Sequence, residues 1–494
     1  MKMQQFRKAA RAARRLMRDR RGATGVIIAF SIIPMIGAIG LGVDSARGYY
    51  VKYRLTEALD ASTLAAAQKV DVDEQRAEFD MFFAANFRSL GPATTVETPD
   101  LLYNPATRML TASVSATVPT TFMRVLGKDS MTVQARTVVR SESKGMELVL
   151  VMDNTGSMRS GGKIDAMKAA ALDLINILYG EDEELENFWV SLVPYTATVN
   201  IGRDHLDWLR LDFDETTRYP TGSTVWKGCV EARWDTGRDM TDDPPAIERW
   251  NEYYYEDTAH DGDNNWIRED GSLDIDESNG AQNNGTGPNL GCGPAITPLT
   301  AERSVILDRI NEMLPWHRGG TMGNLGLVWG WRAISPRWRG EWDGIAETYL
   351  PLDYGTDDSR IFSQKVVVML TDGVNQYYDH VGGYGRTDGD GDSDPFGSDY
   401  SAYDRVDAGR LGTTDVGDAV DEVDDRMEAT CTAMKDEGII LYTITFQVNN
   451  TSTQDLFRRC ATSPSHYFNS PSNAELARVF RVIAAELSNL RLAE

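Results

Sequence analysis

From residue 22 to residue 43 the chain reads GATGVIIAFSIIPMIGAIGLGV, an unbroken stretch without charge. As a helix it would be about 33 Å long, enough to cross the hydrocarbon core of a bilayer. Apolar residues continue at helical spacing through DSARGYYVKYRLTEALDASTLAAAQ, which predicts one helix of roughly 70 Å from Gly22 to Gln68, kinked or divided at Pro34. A shorter helix is predicted over 73–88. The period then changes from 3.6 to 2. Leu110, Ala112, Val114, Ala116 and Val118 alternate with polar residues, as do Met131, Val133, Ala135 and Val139, and this predicts the strands of a small β module. SESKG, 141–145, reads as a linker.

Beyond the linker, strand and helix patterns alternate, the signature of a three-layer α/β domain with a mainly parallel, doubly wound sheet. MELVLVM (146–152), WVSLVPYTATVNI, QKVVVMLTDG (364–373) and GIILYTITF read as strands. Helices are expected over Lys163–Tyr179, from Ala301 to about Ile334, from a Thr414 cap to Glu437 with Gly438 closing it, and over 472–491. Two stretches rich in Gly, Asn and Asp interrupt the pattern, 202–300 and 377–411, and read as insertions. The tryptophans of WGWRAISPRWRGEW (329–342) are expected in the core. The chain thus divides into a leader (1–21), an apolar span (22–43), a helical stalk with its β module (44–145) and the α/β domain (146–494).

Charge sharpens this division. The net charge is -24, yet the leader carries nine Lys/Arg against Asp19 alone, leaving about -32 on the remainder. So acidic a body repels phosphate backbones, which excludes a nucleic-acid partner and favours cations or basic surfaces. The basic cluster before the apolar run places the N-terminus in the cytoplasm and everything after Asp44 outside. A cleaved secretory signal has the same order of parts, but the run exceeds a usual h-region and no A-x-A site closes it. Cys229, Cys292, Cys431 and Cys460 lack zinc-site spacing. In an oxidising compartment they predict two disulfides, and of the three possible pairings proximity favours Cys229 with Cys292 and Cys431 with Cys460. The five histidines show no ligand spacing.

Candidate chemistry sits at strand ends, where open parallel sheets bind ligands. VLVMDNTGSM (149–158) stops at Asp153 and then offers Thr155 and Ser157; the second strand stops at Asp372; between them GGTMGNLGL (319–327) presents Thr321 in a glycine-rich turn. Two carboxylates and three hydroxyls suit a hard cation, Mg²⁺ or Ca²⁺, better than zinc or copper. Singly, each residue could merely cap a turn. A metal-dependent hydrolase or phosphotransferase using Asp153 is the competing reading; an aspartyl phosphotransferase often has a second acid two residues on, where Thr155 stands. No phosphate-binding G-x-x-x-x-G-K-[ST] occurs. In DGDGDSD, Asp388, Asp390, Asp392 and Asp394 alternate as in calcium loops, although Ser393 and Asp399 stand where an EF-hand has Gly and Glu. DGDNN (261–265) is a weaker version of the same pattern.

The order Asp-x-Thr-x-Ser, Thr, then Asp resembles the metal-ion-dependent adhesion site of von Willebrand factor A domains over about 146–491, apart from the insertions. The resemblance implies that Thr155, Ser157 and Thr321 ligate a divalent ion, that Asp153 and Asp372 act directly or through water, and that an acidic side chain of a protein partner completes the site. Thr155 stands where that family more often has Ser. RRGATGVIIAFSIIPMIGAIGLGVDSARGYYVKYRLTEALDASTLAAA resembles the start of TadE/TadG-like proteins of tight-adherence (Flp) pilus systems, over about 15–68. Gly22 matches the prepilin cleavage position, but Ile27 replaces its Glu. Together the two resemblances point to TadG-like proteins. They imply a non-enzymatic component of pilus assembly or adhesion in the bacterial inner membrane, single-pass, with a periplasmic or exported body whose partner is another pilus-assembly component or an adhesion target.

Overall fold

The computed structural model describes residues 23–67, 69, 72–87, 94–104, 109–140, 145–185, 187–258, 264–277, 285–342, 349–354, 363–379 and 397–492. The basic leader and the alternating aspartates of 388–394 lie outside these residues. The chain forms two compact units, Met1–Ser143 and Lys144–Glu494.

In the first unit, α1 (Ala23–Ala66) is continuous, with Pro34 inside it, and α2 (Val72–Asn86) packs beside it. The stretch Phe30–Ala66 is long and apolar enough to cross a membrane by length and composition. Its early part leaves Phe30, Met35, Ile36 and Ile39 more than half exposed, as a lipid-facing helix would. Further along, Val51, Leu55 and Leu59 are buried with Phe79 of α2 and with a sheet of β1 (Thr95–Val96), β2 (Asp100–Asn104), β3 (Met109–Pro119) and β4 (Ser130–Arg140). All pairs in this sheet are antiparallel. The period-2 pattern is what builds it: Leu110, Ala112, Val114, Ala116 and Val118 all point to the buried face.

The second unit is built on a six-stranded sheet: β5 (Gly145–Asp153), β6 (Phe188–Tyr195), β9 (Thr297–Thr300), β11 (Ser363–Thr371), β13 (Ile440–Phe446) and β14 (Tyr467–Ser470). Across the sheet the strands run β14-β13-β11-β5-β6-β9, all parallel except β9 at the edge. Numbered along the chain that order is 6-5-4-1-2-3, so the winding reverses between β5 and β11, as in doubly wound folds. Both faces of the sheet are covered, which is why these strands read as unbroken apolar runs. Leu148, Leu150, Met152, Val366 and Val368 pack with α3 (Lys163–Tyr179), α4 (Arg303–Glu312) and α8 (Asn473–Leu492). On the other face α5 (Gly323–Ile334) lies against β5, β6 and β11, followed by α6 (Val416–Asp436) and α7 (Thr451–Cys460). This is the α/β fold expected of a von Willebrand factor A domain.

Several details differ from the sequence expectation. The helical signal from Ala301 to Ile334 is two helices, because residues 313–322 turn back through the glycine pair before Thr321. Asp415, not Thr414, caps α6, its carboxylate accepting the Asp418 N–H. The first insertion ends at 296, since 297–300 pairs with β6 as the antiparallel edge strand. The WVSLVPYTATVNI stretch is β6 plus a separate short β7 (Val199–Asn200), which pairs with β8 (Cys229–Val230) of the insertion.

That insertion folds onto α5 through aromatic packing. Trp208, Trp250, Trp329, Trp338 and Trp342 form one cluster with ring centroids 5.0–6.5 Å apart. Buried Arg332 lies over the Trp250 and Trp329 rings, 5.2 and 4.5 Å from their centroids. Disulfides join Cys229 to Cys292 and Cys431 to Cys460. The first closes 63 residues of the insertion, worth roughly 4 kcal/mol on the chain-entropy account.

Candidate metal centre at the sheet's switch point

β5 and β11 are neighbours, and the chain leaves their carboxyl ends in opposite senses, so Asp153 and Asp372 meet at the crevice that this topology opens. Asp153 is fully buried. Its Oδ1 accepts hydrogen bonds from the Thr155 N–H (2.8 Å) and Thr155 Oγ1 (2.6 Å). Its Oδ2 accepts from Thr371 Oγ1 (2.9 Å), with the Tyr195 hydroxyl at 3.2 Å and the Asp372 N–H at 3.3 Å. A line of oxygens continues outward: Thr155 Oγ1 lies 3.1 Å from Ser157 Oγ, and Ser157 Oγ donates to Asp372 Oδ1 at 2.5 Å. Despite so many donors, burial first and the nearby Asp372 charge second push the Asp153 carboxyl up to about 6. Burial likewise pushes the Tyr195 hydroxyl well above its ordinary value.

The loop bearing Thr155 and Ser157 is fixed from below by Met158, whose buried side chain contributes on the order of 2–3 kcal/mol. Gly156 faces the His317 imidazole, and a Cβ there would sit 2.5 Å from its Nδ1. The Thr321 loop is laced to both neighbours. Trp316 N–H donates to the Asn154 carbonyl (2.6 Å), Asn154 Nδ2 to the Leu314 carbonyl (2.9 Å), and Gly323 N–H to Asn375 Oδ1 (2.8 Å). β10 (Gly320–Thr321) pairs with β12 (Gln376–Tyr377), which requires φ of 102° at Gly320 and would drive a Cβ there into the Gln376 carbonyl. Below it, Arg318 and Asp399 form a fully buried ion pair of 2.8 Å, and Asp399 also accepts the Gly319 N–H at 3.1 Å. The second insertion thereby holds the Thr321 loop.

A cavity of about 290 Å³ opens over this floor, lined by Thr155, Ser157 and Thr321 together with Arg159, Trp316, His317 and Tyr378. Thr155, Ser157 and Thr321 line it, and the carboxylates of Asp153 and Asp372 stand behind Thr155 and Ser157 in the hydrogen-bond chain. All five sequence-predicted oxygen donors are therefore gathered at one crevice. As a donor set, hydroxyls and carboxylates fit a hard cation. Among the described residues no group of three or more His, Cys, Asp and Glu side chains forms a metal cluster.

Three participants lack an evident motif. Thr371 and Tyr195 support Asp153 from the last residues of β11 and β6. Lys163, the first residue of α3, places Nζ 2.8 Å from Asp372 Oδ2 with its side chain only 15% exposed. One sequence signal could have revealed it, because a lysine at a helix N-terminus opposes the helix dipole and calls for a nearby anion.

Comparison with known proteins separates the two units. Residues 22–69 match a family described as putative Flp pilus-assembly TadE/G-like. The N-terminal segment is TadE/G-like. Among solved structures, the von Willebrand factor domain of the type V pilus tip protein Mfa5 from Porphyromonas gingivalis aligns at 10% identity and a TM-score of 0.33, covering 70% of this chain and 95% of that one. The pilus adhesin SpaC from Lactobacillus rhamnosus GG aligns at 10% identity and 0.33, and this chain spans about a third of its length, 81% against 35%. Proximal thread matrix protein 1 of the mussel byssus, with a zinc-occupied adhesion motif, aligns at 11% and 0.30, covering 70% and 46%. No curated protein matches in sequence.

Proposed function

We propose that this chain is a membrane-anchored, non-enzymatic component of Flp-type pilus assembly or adhesion, whose C-terminal unit engages a protein partner through a divalent cation. The observation that carries the reading is that Thr155, Ser157 and Thr321 line one cavity at the switch point, with Thr155 and Ser157 hydrogen-bonded to Asp153 and Asp372 behind them. These five residues would hold Mg²⁺ or Ca²⁺, which supplies a Lewis-acidic position for a partner's carboxylate. Two carboxylates, one of them already paired with Lys163, leave residual positive charge on such an ion to attract that acidic group. Arg159 and His317 line the same cavity and favour an anionic visitor.

A hydrolase or phosphotransferase would need Asp153 poised to attack. Both its oxygens are instead taken up by hydrogen bonds, and it is fully buried. The TadE/G-like match over 22–69 and the apolar helix support the pilus setting and the inner-membrane anchor, and the nine basic residues before the apolar run favour a cytoplasmic N-terminus with the body outside. The test is calorimetric titration of the full chain in detergent with Mg²⁺ and Ca²⁺, followed by capture of pilus components with and without chelator. Saturable binding and chelator-sensitive capture, both lost in Asp153→Ala, are expected. Chelator-insensitive capture unaffected by that substitution would sink the cation-bridged reading.

A further inference from the structure

The loop joining β3 to β4, residues 120–129 (TTFMRVLGKD), is pinned to the outer end of the apolar run. The carboxylate of Asp44 accepts the backbone N–H groups of Thr121 (3.0 Å), Phe122 (2.9 Å) and Met123 (2.7 Å). Arg47 donates to the Pro119 carbonyl at 3.4 Å. Four residues earlier in α1, a Cβ on Gly40 would lie 2.3 Å from Phe122 Cβ, so glycine is what lets the loop's backbone reach the helix there. Gly40 lies about 6 Å before Asp44 along the helix axis. If residues 22–43 cross the bilayer, the contact between Gly40 and Phe122 is at the hydrocarbon boundary, not above it.

The loop's chemistry suits that depth. Phe122, Leu41 and Val43 are 41%, 44% and 50% exposed around the contact. Backbone N–H groups at such depth cost several kcal/mol when unsatisfied, and Asp44, itself only 2% exposed, satisfies three of them. Arg124 and Lys128 are exposed in the same loop. Tyr49, Tyr50 and Tyr53, each more than half exposed, follow on α1 where an interfacial aromatic belt would stand.

We propose that residues 121–128 form an interfacial foot on the membrane's outer surface, with the Phe122 ring at the boundary between headgroups and acyl chains and Arg124 and Lys128 at the level of anionic lipid phosphates. The inference rests on the spanning reading of α1 and adds a second point of membrane contact, outside α1, that fixes the tilt of the first unit.

Because all four native cysteines are in disulfides, single introduced cysteines can be spin-labelled cleanly. The full chain, reconstituted in nanodiscs containing phosphatidylglycerol, would be labelled at Ile36→Cys, Phe122→Cys, Lys128→Cys and Leu102→Cys, and collisions with oxygen and with a water-soluble nickel chelate compared. Leu102 pairs with Thr111 of β3, eight residues and about 27 Å along the strand from Pro119, and serves as the aqueous reference. The expected oxygen-to-nickel ratio is highest at Ile36, several-fold above the reference at Phe122, and modestly above it at Lys128. A lipid-like Ile36 with Phe122 and Lys128 both matching Leu102 overturns the foot alone. An aqueous Ile36 overturns the spanning reading, and the foot with it.

Discussion

The same two strands, β5 and β11, carry a charge constellation at each end, and the two ends are built on opposite principles. At the amino end Glu147 and Lys365 sit in register, fully buried and bonded to each other. Their remaining capacity is used as well, Glu147 Oε1 by the Leu352 N–H (2.6 Å) and Lys365 Nζ by the Ile334 carbonyl (2.6 Å). Burial pushes the Glu147 carboxyl up and the Lys365 ammonium down, each opposed by the other's charge. At the carboxyl end two acids face each other, with a lysine on one of them and a cavity in front. A closed pair of opposite charges has nothing left to offer a ligand. A pair of like charges beside a row of hydroxyls does.

The largest effect should come from opening the closed end. Glu147→Ala leaves Lys365 buried without its counter-charge and should destabilise the full chain by about 3–5 kcal/mol, read as a fall in the denaturant midpoint. Replacing both residues by methionine should recover most of that loss, since well-packed apolar groups can substitute for a buried pair. If the double variant is no better than the single, the pair does more than neutralise itself.

At the open end the sign should reverse. The Asp153 carboxyl titrates near 6 when folded and near 3.8 as a reference group, so the folded state holds its proton more tightly. Stability without divalent ions should therefore fall as pH rises from about 4 through 6, by on the order of 3 kcal/mol. Asp153→Asn should remove that slope, leave the protein at pH 7.5 as stable as the parent or more so, and abolish any Mg²⁺-induced rise in melting temperature. Melting curves in chelator across this pH range check all three. A parent protein whose stability is flat between pH 4 and 6 would contradict the electrostatic account.

How much of this contrast is legible in the sequence depends on the range of the interactions. Continuous apolar runs ending at Asp153 and Asp372 mark both strands and their carboxyl ends, and the spacing of Thr155 and Ser157 marks the loop. The register that puts Glu147 opposite Lys365 is not visible, because it is set by a pairing across more than 200 residues of intervening chain. Tyr195, 42 residues from Asp153, and the Arg318–Asp399 pair, 81 residues apart, are likewise brought together by pairings that no local pattern shows. β14 is four residues long, too short for a periodic signal. The tryptophan cluster has no period, since an insertion that packs on a helix through scattered aromatics leaves no repeating pattern. The Thr414 cap was displaced to Asp415 because neighbouring residues with equivalent capping oxygens are separated only by backbone geometry.

Lys163 is the residue that links the two kinds of end, since it makes the open site half closed. Its ammonium on Asp372 offsets part of the repulsion between the acids and competes with any cation for the same oxygen. Lys163→Met keeps the aliphatic stem but removes the charge. It should lower stability in chelator by about 1–2 kcal/mol and tighten divalent-ion binding roughly tenfold, the equivalent of 1.4 kcal/mol. Calorimetric titration of parent and variant gives the ratio; equal affinities would mean the lysine moves aside without penalty.

The smallest effect expected is at Thr155, and it tests whether the open end works through its hydroxyls. Thr155→Ser keeps the oxygen that lies 2.6 Å from Asp153 and 3.1 Å from Ser157, and removes one buried methyl group. The lost burial amounts to about 0.8 kcal/mol, and the ion affinity should stay within a few-fold of the parent. Thr155→Val makes the complementary change, keeping the shape and removing the oxygen, and should weaken binding far more than it weakens the fold. If Ser and Val variants bind the ion alike, Thr155 serves as a turn residue rather than a ligand, and the donors must be sought among Ser157, Thr321 and the two carboxylates. If they differ while melting at similar temperatures, the hydroxyl row is what distinguishes this end of the sheet from the sealed pair at the other.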